Sequence, residues 1–262
     1  MNTKTMKWVN TVAFALMVII NALANLIPIG IGPTGAISQK YENLFTPVPI
    51  TFAIWGVIYL LMGLFVLWQW GLFGRKEDSD RMRERIGLWF AISCALNIGW
   101  IFTWHLDVIW LSAVFIAALL VSLLMIVRQI RKTGTSPLSR LVRAAFDIYF
   151  GWIIAATIAN ICVLLTALGW DGLGDQLWTV IVLLAGALIG AATVLFECRW
   201  LSALAMIWAY AGILIRHISQ SGFAGAYPWV IAAAIFGIAV ILSSIALNCC
   251  RKNCKREETV WK

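Results

Sequence analysis

The chain has 262 residues, of which 62% are hydrophobic and 12% charged, and its mean hydropathy is +0.89. A soluble domain carries roughly 25% charged residues, so a soluble globular fold is excluded and the chain reads as an integral membrane protein. The net charge of +8 does not point to a nucleic-acid partner, because the Lys and Arg sit in short segments between apolar runs, where membrane topology accounts for them.

Eight apolar runs are long enough to cross a bilayer: 8–28, 50–73, 86–104, 108–130, 146–168, 177–196, 201–218 and 229–249. The fold class expected is therefore all-α, a polytopic membrane helix bundle. The first run follows a basic start, Lys4 and Lys7, but has no small-x-small cleavage site, so it reads as a span rather than a signal peptide. Loop 30–49 carries Gly32-Pro33-Thr34-Gly35 and is expected to hold a short helix or to act as a lid. Only His105-Leu106-Asp107 separates the third and fourth runs. The charged segments 75–85 and 131–143 read as solvated connectors, and the turn 170–175 as tight and acidic. With this count, every one of the 20 Lys and Arg except Lys40 and Arg216 falls on one side. The positive-inside rule then places both termini in the cytoplasm, and the cell (plasma) membrane is the expected location.

Several runs carry polar or aromatic residues on one helical stripe. Asn10, Asn21 and Asn25 share a face of the first. Trp55, Tyr59 and Gly63 recur every fourth residue in the second. Asn97, Trp100 and Trp104 line one face of the third, and Trp152, Ala156 and Asn160 one face of the fifth, which also carries Tyr149 and Thr157. An amide in hydrocarbon needs a partner, since leaving it unpaired costs roughly several kcal/mol; these stripes should face other helices or a cavity. Indole rings beside a few amides suit a planar, largely apolar ligand. Trp at span ends and Asn between helices also serve anchoring and packing alone. Of the 15 Trp, Trp8, Trp68, Trp70, Trp110, Trp170, Trp178, Trp200 and Trp229 fall at span ends and are assigned to the membrane interface.

Three of these stretches carry a resemblance. Trp55-x-x-x-Tyr59-x-x-Met62-Gly63, preceded by Phe45-x-Pro47-x-Pro49, then Ala95-Leu96-Asn97-x-x-Trp100, then Trp152-x-x-x-Ala156-Thr157-x-x-Asn160, together resemble the TspO/MBR family (translocator protein, tryptophan-rich sensory protein). The resemblance covers residues 8–168 and implies a five-helix transmembrane unit with a pocket partly covered by the loop after the first helix. It implies binding of tetrapyrroles such as protoporphyrin, in some members sterols, and ligand-binding positions at Trp55, Tyr59, Asn97, Trp100, Trp152, Ala156 and Asn160. It requires no cofactor, although the ligand itself would be porphyrin- or haem-like. One departure is that Ile54, not proline, stands before Trp55. Spans six to eight, 177–249, form an additional three-helix extension to that unit, followed by a basic cytoplasmic tail, 250–262. They would cover a surface that family members use to dimerise; a homo-oligomer is one expected state.

Outside those stripes, Gly186-x-x-x-Gly190 reads as close helix packing, and Glu197-Cys198-Arg199 as an interfacial ion pair. His105 and His217 read as solvated helix-end residues rather than metal ligands, and Cys94 and Cys162 as packing residues. Cys249, Cys250 and Cys254 lie beside the basic tail, a context that permits lipidation in a eukaryotic cell. There is no phosphate-binding glycine loop and no nucleophile–base spacing, so no catalytic residue and no metal site is assigned; porphyrin degradation enters only by family analogy. The function expected is a membrane receptor or carrier for a planar hydrophobic ligand, sensory or transporting. The alternatives are a secondary transporter of a small solute and a structural membrane subunit.

Overall fold

A computed structural model gives the fold and describes residues 2–27, 34–131, 133, 136–170 and 172–260, with side chains as far as residue 250. Pro28, Gly30, Gly32, Pro33 and Asp171, and the side chains of the basic tail with Cys254, lie outside the described residues. Among those described, the chain is helical throughout, without strands: α1 (Thr3–Leu26), α2 (Thr34–Lys40), α3 (Ile54–Gln69, entered through a 3-10 turn at Pro49–Ala53), α4 (Lys76–Ile86), α5 (Trp89–His105), α6 (Ile109–Gln129), α7 (Pro137–Ala167), α8 (Asp175–Leu195), α9 (Trp200–Ile218) and α10 (Pro228–Val260).

Among the described residues seven helices, α3 being counted with its 3-10 turn as Pro49–Gln69, are long and apolar enough to cross a membrane, and α4 with α5, bent by 58°, makes an eighth candidate span. The protein is a polytopic helical membrane bundle, as its hydropathy predicts. The narrow break between the third and fourth spans holds: Asp107 takes a left-handed φ of 64°, and the Val108 amide folds back onto the Thr103 carbonyl at 2.9 Å.

Two connectors are not the solvated loops expected. Segment 75–85 forms most of α4, whose Ser79, Met82 and Ile86 are fully buried and which packs on α3, α6 and α7. Its Arg83 is 1% exposed. A guanidinium so buried needs a counter-charge: it pairs with Asp80, which also faces Lys7 at 3.8 Å. The charges hid an amphipathic helix. Gly87, at φ 57°, ends it; without a Cβ it tolerates the left-handed turn that lets the chain bend into α5. Segment 131–143 likewise gives way to α7, which starts at Pro137 rather than near residue 146. Ser136 caps it, accepting from the Ser139 amide at 3.2 Å, with proline at the first helical position.

The chain divides into two compact units: Met1–Glu42 with Phe52–Trp170, and Asn43–Thr51 with Asp171–Lys262. In the first, α1 packs on α3 and α5, α5 on α6, α6 on α7, and α7 back on α3. The five long helices thus close a ring. In the second, α8, α9 and α10 pack pairwise. There Gly190 admits Ile241, whose Cδ1 lies 3.0 Å from where a Cβ would stand, and Gly237 admits the Tyr210 ring at 2.6 Å. The small residues of α8 therefore serve close packing, as their spacing predicts. Glu197 and Arg199 form the expected ion pair, at 3.9 Å.

Burial corrects three assignments. Trp68 is fully buried and so is not an interfacial anchor, unlike the exposed Trp8, Trp110, Trp170, Trp200 and Trp229. His105 and His217 are buried too, each bonded to a backbone carbonyl, of Ile101 and of Leu44 respectively, at 2.8 Å. A helix-end imidazole escapes solvent when a carbonyl is within reach of one ring nitrogen.

Candidate ligand-binding site

α3 begins directly after the 3-10 turn, so its first turn presents Trp55 and its second Tyr59 to the middle of the ring. The two rings stack at 5.6 Å and 22°. Across the ring, α5 brings Trp100 parallel to Trp55 at 5.4 Å and 27°, and Trp104 continues the stack at 6.1 Å. From α7, Tyr149 and Trp152 meet Trp55 edge-on at 6.0 and 6.1 Å. Phe52, in the 3-10 turn, stands edge-on to Trp152 at 6.2 Å. Trp55 is the hub: its neighbours come from three helices. Each such pair contributes about 0.5–1.5 kcal/mol beyond its area burial.

A string of amides and one phenol lies against this stack. Asn21 of α1 donates to the Asn97 carbonyl oxygen at 2.7 Å, and the Asn97 amide donates to the Tyr149 hydroxyl at 3.2 Å. Asn97 is fully buried, and both ends of its amide are engaged. It fixes α1, α5 and α7 to one another and orients Tyr149 against Trp55.

Trp100 and Trp152 differ from this satisfied string. They are 4% and 3% exposed, and neither indole nitrogen has an acceptor among the described residues. An indole N–H can only donate, and a buried donor without a partner costs roughly 1–3 kcal/mol. Trp104 shows the ordinary solution: its N–H donates to the Thr34 carbonyl at 3.1 Å. Trp68 also lacks an acceptor, but it lies thirteen residues beyond Trp55, about 20 Å along α3.

The described part of loop 30–49 holds helix α2. α2 packs on α5. At one end, the Thr34 amide and hydroxyl donate to Asn25 at 3.2 and 3.3 Å. At the other, Lys40 pairs with Asp107 and the Tyr41 hydroxyl donates to the same carboxylate at 3.0 Å. The hydrogen bond that Lys40 donates to the Asp107 carboxylate raises the pKa of its ammonium above the ordinary value.

The model of the family described as TSPO-like protein matches residues 7–247. The chain belongs to the TSPO-like family. No curated protein and no solved structure matches it. The match runs from α1 through α9 and into α10, so it takes in the three helices after α7 as well as the five-helix ring. This TSPO-like chain is an integral membrane protein.

Of the residues singled out from sequence, the TSPO-like fold gathers Trp55, Tyr59, Trp100 and Trp152 into one cluster. Asn97 is one step removed, behind Tyr149. Asn160 is set apart: its carbonyl oxygen accepts from Ser112 of α6 at 3.1 Å. Ala156 is half-buried, one turn beyond Trp152. Three members of the cluster are not among the expected ligand-binding positions: Trp104 and Tyr149, noted on their helices, and Phe52. Tyr149 precedes Trp152 by three residues, a spacing that puts both on one helix face. Phe52 lies outside any helical stripe. Among the described residues no cluster of His, Cys, Asp or Glu has the makings of a metal site.

Proposed function

We propose that the five-helix ring binds a planar hydrophobic ligand of the tetrapyrrole class, reversibly and without chemical conversion, and that the protein serves as a receptor or carrier for it. The observation that carries this reading is the pair of buried indole N–H groups, Trp100 stacked on Trp55 and Trp152 edge-on to it, that have no acceptor among the described residues. A flat ring system would replace Trp–Trp stacking by ligand–Trp stacking at little net loss. Oxygen or nitrogen acceptors on its rim would take both N–H groups, recovering roughly 1–3 kcal/mol for each. Family membership and the tethered helix α2 support the same reading, with α2 as the lid. Both termini would face the cytoplasm, in the plasma membrane.

The test is titration of purified protein with protoporphyrin, read by quenching of tryptophan fluorescence. Saturable quenching is expected, weakened by Trp152→Ala by tenfold or more. Absence of saturable quenching in a fully helical protein would refute the reading and leave the stripes as helix packing.

A further inference from the structure

The second half of the loop between α1 and α3 runs as a strap along α9. His217, of which Nε2 must carry the proton, donates to the Leu44 carbonyl at 2.8 Å. The Val48 amide donates to the Gly212 carbonyl at 3.2 Å. The Trp208 indole donates to the Thr51 carbonyl at 2.8 Å. As the strap advances from 44 to 48 to 51, its partners retreat along α9 from 217 to 212 to 208, so the two run antiparallel. Leu44, Phe45, Thr46 and Thr51 are buried. The closest approach is at Gly212: a Cβ there would stand 2.0 Å from Thr51 Oγ1 and 3.0 Å from its Cβ. No other residue type fits beneath the strap at that point. Pro47 and Pro49 fix two of its backbone torsions, so the strap behaves as a stiff link rather than a slack tether.

The residue after Thr51 is Phe52, which meets Trp152 edge-on at 6.2 Å in the aromatic cluster. We propose that α9 is the positioning element of the ligand site: by clamping strap 43–51 through His217, Gly212 and Trp208, it holds Phe52 against Trp152. The coupling passes through a single peptide bond, Thr51–Phe52. It gives the helices after α7 a role in binding without requiring any of their side chains to touch ligand. The binding half of the test rests on the ligand reading above; the clamp itself does not.

The experiment compares native protein, Gly212→Ala, Gly212→Ala with Thr51→Gly, and Trp208→Phe. Two readouts are taken: amide hydrogen exchange over residues 43–51, which needs no ligand, and protoporphyrin quenching. Gly212→Ala should speed exchange in the strap by tenfold or more and weaken protoporphyrin binding at least fivefold. Thr51→Gly removes the three atoms nearest the new methyl, Thr51 Oγ1, Cγ2 and Cβ, so the double variant should return both readouts to near native. Trp208→Phe keeps an aromatic ring but loses the pyrrole half with its N–H donor, so it should move both readouts in the same direction by a few-fold and serves if the glycine variant does not fold. Unchanged exchange in both variants would overturn the clamp. Faster exchange with native affinity would overturn the positioning role. If native protein binds no protoporphyrin, the ligand reading fails and the exchange readout alone decides the clamp.

Discussion

Phe65, Phe90 and Phe146 form a second aromatic cluster on the same three helices as the Trp55 cluster. Phe65 lies ten residues beyond Trp55 on α3 and Phe90 ten residues before Trp100 on α5, about 15 Å away in each case. The three phenyl rings meet edge-to-face, with interplanar angles of 70° to 86° and centroids 5.0 to 6.0 Å apart, and all three are fully buried. They carry no polar atom and leave nothing unsatisfied. In the Trp55 cluster Tyr59, Trp55, Trp100 and Trp104 lie nearly parallel while Tyr149 and Trp152 meet Trp55 edge-on, the faces are large, Tyr59 is half-buried, and among the described residues two donors have no acceptor. An edge-to-face trio is a finished core. A parallel stack with orphaned donors stores interactions that another flat molecule can take over. Burial alone does not separate the two; geometry and the state of the polar atoms do.

The largest contrast should come from Phe146→Ala. It removes a fully buried ring, and about 3–5 kcal/mol of stability is expected to go with it, measured by denaturant or thermal unfolding in detergent, with no specific change in ligand affinity among molecules that remain folded. Trp152→Phe should do the reverse. It keeps an aromatic ring and loses one N–H that has no acceptor, so stability should hold or rise slightly while protoporphyrin affinity falls about tenfold, the ratio set by roughly 1.4 kcal/mol. If Trp152→Phe destabilises as much as Phe146→Ala, the distinction between the clusters is broken. Asn97→Ala should fall between them. It takes the acceptor from one N–H of the Asn21 amide, which keeps its bond to the Met17 carbonyl at 2.9 Å, and the donor from the Tyr149 hydroxyl, costing roughly 1–3 kcal/mol of stability, with affinity lost only as far as Tyr149 lets Trp55 move. The smallest effect is at the lid. The lysine pKa is raised in the folded state by Asp107, so the Lys40 contribution is fully present below the ordinary value of 10.5 and is lost as pH rises through the folded value. Hydrogen exchange in α2, corrected for its intrinsic pH dependence, should therefore be flat from neutral pH to about that value and speed up above it. Lys40→Met should remove the dependence.

The spans and their stripes were legible because a membrane helix must be apolar over its length and must hide its amides, and both demands act locally. The Asn face of α1 shows this: Asn10 donates to Gln69, Asn21 to Asn97, and Asn25 accepts from Thr34. What escaped had no local signature. α4 was hidden because its buried Arg83 carries a charge that hydropathy counts as exposed. Trp68 sits at a span end and yet faces inward, where α4 covers that end of the bundle. The orphaned N–H groups of Trp100 and Trp152 depend on what does not stand beside them, which no spacing reveals. The pairing of Thr51 with Gly212 joins residues far apart in the chain, and a lone glycine in an apolar helix gives no hint of its partner.

The closed ring also imposes an order on biosynthesis. α1 and α3 can associate as soon as both have left the ribosome, and α5 and α6 can join them in turn. The circle is completed only when α7 returns to α3, and that same event delivers Tyr149 and Trp152 to Trp55. A nascent chain halted before Pro137 would hold four-fifths of the ring and the α3 and α5 part of the stack, but not Tyr149 or Trp152, leaving the edge-on side of Trp55 open to lipid until the last wall arrives.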